Sequence, residues 1–248
     1  MNSEVAAHCA AIEECNQRGG RMLSIVDLLD AGTLSRHLAA YALAAIRKGC
    51  SFLVGAIPGG AGKTTVMGAL LNFAPRSIPL IAADCQATIE AGMKKGAPRV
   101  CYVCHEIGPG GYYAYLWGPE LRRYFELAGA GHMLASNLHA DTLGQAREQI
   151  CLQNGVPERL FRRISIVFFL SVSAGCGRFI RRIASAYESD GVNPHLQVWP
   201  KDQASVWHSR LVASGEVEEA AAALDALVAS GARTQPEVRS FLVSNGFV

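Results

Sequence analysis

An α/β fold built on a largely parallel sheet is what this sequence predicts, and three observations carry the prediction. Apolar runs of strand length alternate with segments of helical spacing from residue 50 to residue 153. A glycine-rich loop, GAIPGGAGKTT at 55–65, joins the first of those runs to the first helix. The next two runs each end in an acid, Asp84 and Glu106. Alternating strands and helices imply parallel pairing, with chemistry gathered at the carboxyl ends of the strands.

Taken in order, residues 3–18 have helical, amphipathic spacing until Arg-Gly-Gly at 18–20 breaks it. TLSRHLAAYALAAIRK at 33–48 is Ala/Leu-rich with a basic last turn, and Gly49 ends it. CSFLVGA (50–56) reads as a buried strand and KTTVMGALLNF (63–73) as a helix. IPLIAAD (78–84), VCYVCHE (100–106) and GHMLASNLH (131–139) read as further strands. The helices between and after them are QATIEAGMKKG (86–96), ELRRYFELAGA (120–130) and DTLGQAREQICLQ (141–153), the last with Asp141 placed to cap it. GPGGYYAYLWG (108–118) is turn-rich and aromatic, a loop with its own packing or a docking surface. Beyond 160 the rhythm changes. Residues 164–171, 176–187 and 195–208 read as antiparallel strands, and 214–230 and 235–245 as helices. The pattern divides into a helical lead (1–49), a core (50–210) and a C-terminal helical pair (211–248).

Half of the 248 residues are hydrophobic and 18% are charged, which marks a chain that folds around a sizeable core. The net charge of +2, with no basic stripe, argues against a nucleic-acid partner. No apolar run nears the ~20 residues that span a bilayer. Residues 1–15 carry acids among their apolar positions and no basic start, so a cytoplasmic chain is expected. Eight scattered cysteines then default to buried free thiols. CYVCH at 101–105 has the spacing of a c-type haem attachment, and Cys101 with Cys104 could be half a zinc site. On a strand, however, residues three apart face opposite ways, so the stretch reads better as a buried strand ending in Glu106.

The most specific chemistry is the phosphate loop. A Walker A motif places G-x-x-x-x-G-K-[ST] between strand and helix, and Gly62-Lys63-Thr64 fits. Backbone N–H groups over Gly59, Gly60, Ala61, Gly62, Lys63, Thr64 and Thr65 would cradle phosphate at a helix N-terminus. Lys63 would reach the outer phosphates of ATP, and the Thr64 hydroxyl would enter the Mg²⁺ shell. Ile57 stands where the first glycine of the motif belongs. Asp84 and Glu106 are the candidate acids, one supporting the metal and one orienting or activating water. Either alone would equally serve as a capping carboxylate.

GHMLASNLHADT (131–142) resembles the Gly-His strand and His box of the type II/type IV secretion ATPases, the family that includes pilus assembly and retraction motors. Gly131, His132, Ser136, Leu138, His139, Ala140, Asp141 and Thr142 all fit. The order of motifs also fits, with the likeness greatest to the archaeal and tight-adherence branch. It covers roughly residues 24–248. The resemblance implies a RecA-like P-loop NTPase core with a mainly parallel sheet, an antiparallel β extension and C-terminal helices. It implies an ATPase with Glu106, Asp84 and His139 as catalytic residues, Thr64 and Asp84 at Mg²⁺, and His139 coupling nucleotide state to movement. It further implies a homo-oligomeric ring, a hexamer, working from the cytoplasm on an inner-membrane platform protein. His132 is expected to be structural. Arg178, Arg181 and Arg182 would be arginine fingers or a solvated basic edge. The chain departs from the family pattern at Ile57, at Ala83 before Asp84, and at His105, where the family keeps glycine. The arginine-bearing stretch after Asp84 is also short, and the chain is expected to lack the family's large N-terminal domain. Those departures motivate a second reading, a degenerate nucleotide-binding subunit with regulatory or assembly work and little turnover.

Overall fold

A computed structural model describes residues 3–16, 19–175, 178–200 and 208–248. Its elements run α1 (Ser3–Glu13), α2 (Ile25–Asp30), α3 (Arg36–Ile46), β1 (Phe52–Gly55), α4 (Lys63–Leu71), β2 (Leu80–Ala82), α5 (Gln86–Gly92) and β3 (Cys101–Ile107). They continue with β4 (Tyr115–Leu116), α6 (Gly118–Gly129), β5 (Met133–Leu138), α7 (Leu143–Arg147), a π-helical stretch Glu148–Gln153 and α8 (Glu158–Phe161). The chain closes with β6 (Ile166–Gly175), β7 (Arg178–Glu188), β8 (Leu196–Trp199), α9 (Ser214–Ala229) and α10 (Gln235–Ser244).

One sheet carries the fold, in the order β2-β3-β5-β1-β6-β7-β8, with β4 added beside β3. The strands from β2 to β6 pair in parallel, and β7 and β8 are antiparallel. The fold class predicted from the sequence therefore stands: a mainly parallel α/β sheet, an antiparallel extension and C-terminal helices. The third antiparallel strand was expected over 195–208; it covers Leu196–Trp199, and 201–207 lie outside the described residues.

Both faces of the sheet are covered, which is why its central strands β1, β3 and β5 are buried along their whole length rather than at alternate residues. Phe52, Val54, Cys101, Val103, Ala135 and Phe168 point to one side and share a cluster with α2, α3, α4, α9 and α10. Leu53, Tyr102, Cys104, Leu134 and Val167 point to the other, against α5, α6 and α8. Cys101 and Cys104 thus sit in different halves of the core, as strand periodicity requires, and no single ion bridges them. Burial pushes the Cys104 thiol up to about 12, so it stays protonated. Cys176 lies outside the described residues.

Two helices, α2 and α8, escape the sequence pattern because their hydrophobic stretches are too short to show a period. α2 is set by a capping box in which Ser24 and Asp27 exchange side-chain and backbone hydrogen bonds. The expected helix from Asp141 begins two residues later: Thr142, not Asp141, caps it, its Oγ1 accepting from the Gln145 N–H at 3.2 Å. The Asp141 carboxylate is used elsewhere. The aromatic loop does contain local structure, since β4 pairs with the end of β3 and the His105 N–H bonds the Ala114 carbonyl at 2.9 Å.

The chain ends are joined by a buried arginine. Arg239 on α10 is fully buried; its Nη1 donates to the carbonyls of Asn72 (3.0 Å) and Ala74 (2.6 Å), and its Nη2 to Glu4 Oε1 of α1 (2.7 Å). Beside it His8 donates to the Leu71 carbonyl at 3.1 Å, and burial, with the Arg239 charge, holds its pKa near 3. Arg239→Ala orphans two carbonyls and a carboxylate at once and is expected to cost about 3 kcal/mol. Urea denaturation would read this as a lower midpoint with an unchanged slope.

Candidate phosphate-loop site

Parallel pairing brings the ends of β1, β3 and β5 to one edge of the sheet. A cleft of about 330 Å³ opens there, lined by Gly59, Gly60, Ala61, Gly62, Lys63, Thr64, Thr65, His105, Glu106, Tyr115 and His139, with Asn16, Arg21 and Met22 closing one side. All seven residues expected to cradle phosphate line it, and so do Glu106 and His139. Asp84 is not among the lining residues. It stands exposed after β2 and accepts a hydrogen bond from Thr88 Oγ1 at 3.0 Å.

The loop is built on two glycines in the left-handed region, Gly60 (φ 77°) and Gly62 (φ 98°), where a side chain is strained. Gly62 is the N-cap of α4, so Lys63 and Thr64 open the helix with their N–H groups directed at the cleft. Gly55 is required for space: an added Cβ would lie 2.5 Å from the Ala140 carbonyl oxygen and 2.7 Å from the Phe169 ring. That close approach seats residues 139–141 directly on the start of the loop.

Lys63 and Glu106 face each other in the floor of the cleft. The Lys63 Nζ lies 3.1 Å from the Ala56 carbonyl oxygen, 3.4 Å from His139 Nδ1 and 3.6 Å from Glu106 Oε2. Both side chains are 8% exposed. Burial raises the Glu106 pKa, and the charges of Lys63 and His139 oppose that rise. His139 Nε2 stands 3.9 Å from Glu106 Oε1, and its Nδ1 lies 3.2 Å from the Ile57 carbonyl oxygen. Nδ1 is therefore within reach of a donor, Lys63, and an acceptor, Ile57 O, and its tautomer decides which one it serves.

A bulge aims the acid. The β3–β5 register shifts between Cys104 and Ile107, and Ile107 joins the same side of the core as Cys104 despite the odd spacing. That slip turns Glu106 toward Lys63. Asn137 on β5, the strand between β1 and β3, supports the bulge: its Nδ2 donates to the His105 carbonyl at 2.8 Å and lies 3.5 Å from Thr64 Oγ1. Sequence reasoning missed Asn137. Its signal was a polar side chain inside an apolar strand, which must find a partner when buried. Burial lowers His105 to about 4, so this neighbour of Glu106 is neutral at neutral pH. His132, expected to be structural, accepts from the Val100 N–H at Nδ1 (3.3 Å) and donates from Nε2 to the Gly92 carbonyl (2.9 Å), tying α5 to β3 away from the cleft.

Arg181 reaches the loop within the same chain. Its Nε donates to the Gly60 carbonyl at 3.4 Å from the outer side, while Arg182 is exposed. The side chain of Arg178 lies outside the described residues. Among the described residues, no helix is long and apolar enough to cross a membrane.

The residues present fit a phosphate–metal group. Among the described residues, Glu106 Oε1 and Asn137 Oδ1 are buried acceptors without hydrogen-bond partners, and both belong to residues that flank Thr64 or Lys63. Acceptors stranded this way are stabilised by ordered water or by the hydrated shell of a cation.

No model of a known protein family matches the sequence, and no curated protein does. Among solved structures, the chain is similar to the VirB11 ATPase from the Brucella suis type IV secretion system, in complex with sulphate. The identity is 17% and the TM-score 0.47, over 65% of this chain and 54% of that one. The chain thus spans about half the length of that structure.

Proposed function

We propose that this chain binds Mg-ATP at the 59–65 loop and hydrolyses it. The observation that carries the reading is the buried Lys63–Glu106 pair facing into a cleft whose rim is the glycine loop and the first turn of α4. The loop amides and Lys63 bind the phosphates and neutralise their charge. Thr64 would hold the Mg²⁺, which supplies charge neutralisation on the phosphate oxygens. Asp84, exposed and outside the cleft lining, takes no part in this step. Glu106 orients and deprotonates the attacking water, its raised pKa bringing it nearer to that of an effective base. His139, between Lys63, Glu106 and Ile57, passes the position of the lysine to the loop.

The His-box resemblance extends the proposal to work at a membrane platform protein of a secretion or pilus system, by a homo-oligomeric ring on the cytoplasmic side. The motifs Gly131-His132 and His139 to Thr142 support it. The second reading, a nucleotide-holding subunit with little turnover, is favoured by His105 beside Glu106. A phosphate-release assay with Mg-ATP, run beside calorimetric titration with Mg-ADP, separates the two. Turnover that stops on chelation of Mg²⁺ is the expected result. Binding without turnover favours the second reading, and no binding at millimolar nucleotide overturns both.

A further inference from the structure

Ile57 occupies the position at which the phosphate-loop motif has glycine, and the structure shows how the loop starts without one. Its side chain is half exposed. Because Pro58 follows it, its backbone is confined to extended conformations, so no left-handed residue opens the loop. Its N–H donates to Asp141 Oδ1 at 2.7 Å. Its carbonyl meets His139 Nδ1 at 3.2 Å, and the Ala140 carbonyl packs over Gly55. Three successive residues, His139 to Asp141, therefore hold Gly55 and Ile57, the two ends of the strand-to-loop junction. The Asp141 carboxylate is available for this because Thr142 caps α7, while the Asp141 N–H is taken by Gln145 Oε1 at 2.8 Å.

We propose that Asp141 is a positioning residue for nucleotide binding: by fixing the Ile57 amide outside the cleft, it sets the first turn of the loop that glycine would otherwise set. This rests on the phosphate-loop reading above. Asp141 does not line the cleft, so it acts through the loop and not on the phosphates. The bond is charge-assisted, and its loss in an exposed loop frees the junction without opening the core.

The test compares Asp141→Ala with Asp141→Asn in the full chain. Asparagine keeps an oxygen acceptor for the Ile57 N–H and removes the charge; alanine removes both. Calorimetric titration with Mg-ADP is expected to show about a tenfold weaker Kd for Asp141→Ala, the size of one charge-assisted bond. Asp141→Asn stays within about threefold of wild type, since a neutral bond retains much of that energy. With Mg-ATP, KM rises for the alanine variant and kcat falls far less. Amide hydrogen exchange at Ile57 accelerates in Asp141→Ala and not in Asp141→Asn, a local readout that a general loss of stability would not confine there. Wild-type affinity in the alanine variant, or equal weakening of both variants, overturns the proposal while leaving the site reading intact. A wild-type chain that binds no nucleotide overturns the site reading and this proposal with it.

Discussion

Lys63→Ala is expected to bring Mg-ATP turnover close to background and to weaken nucleotide binding more than any other single change in the cleft. The Nζ is the one lysine ammonium among the residues lining the cleft, and it is buried, so its interactions with an anion are screened little by solvent. Each charge-assisted hydrogen bond it gives to phosphate is worth ~1.5–3 kcal/mol. Loss of two such bonds lowers kcat/KM by on the order of 10³. Removing the ammonium also takes away the charge that opposes the rise of the Glu106 pKa, so that pKa moves further up. The variant therefore loses both the binding charge and the countercharge of Glu106. Phosphate release and Mg-ADP titration check this directly. Retention of wild-type Kd and turnover would show that the cleft is not where nucleotide binds. Arginine does not rescue it, because a planar fork cannot occupy the pocket between Ala56 O and His139 Nδ1.

The strong parts of the fold and site were legible because they rest on local pattern. Buried strands such as Phe52–Gly55 and Met133–Leu138 are mainly apolar runs of strand length, and the glycine loop needs its spacing to work at all. What stayed hidden depends on pairing between distant strands. Nothing local to CYVCHE announces a register slip, which arises only when β3 is laid against β5. The same holds for Asn137, which acts because β5 inserts between the loop strand and the acid strand. Asp141 was visible as a residue type suited to a helix cap, but Thr142 beside it is equally suited, and the choice is made by Ile57, 84 positions earlier in the chain. For Arg181 the sequence leaves two readings, an arginine finger toward a neighbouring subunit or part of a solvated basic edge. Its approach to Gly60 follows from the antiparallel turn-back of β7 along β6, which strand alternation alone does not place. Asp84 was expected to end its strand, but β2 stops at Ala82 on the edge of the sheet, and the acid stands exposed two residues later, outside the cleft lining.

Glu106→Gln holds Mg-ATP and does not turn it over. The amide matches the carboxylate in shape, so the β3 bulge and the Asn137 bond to the His105 carbonyl persist, and Lys63 keeps its contact with the Ala56 carbonyl. What is lost is the group proposed to accept a proton from water, a role worth ~10²–10⁴ in rate. Stability moves the opposite way. A carboxyl whose folded pKa is raised binds its proton more tightly in the folded chain than in the unfolded one, so wild-type stability falls as pH rises from the unfolded value of 4.5 through the folded one. Glutamine does not titrate and escapes that fall. The melting temperature of Glu106→Gln relative to wild type is therefore expected to increase from pH 4.5 to pH 8, while phosphate release drops to background across the same range. A melting difference that stays flat with pH would mean that Glu106 is not held at a raised pKa. Turnover within tenfold of wild type would move the catalytic base to another residue, and His139, 3.9 Å away, is the group placed to take that role.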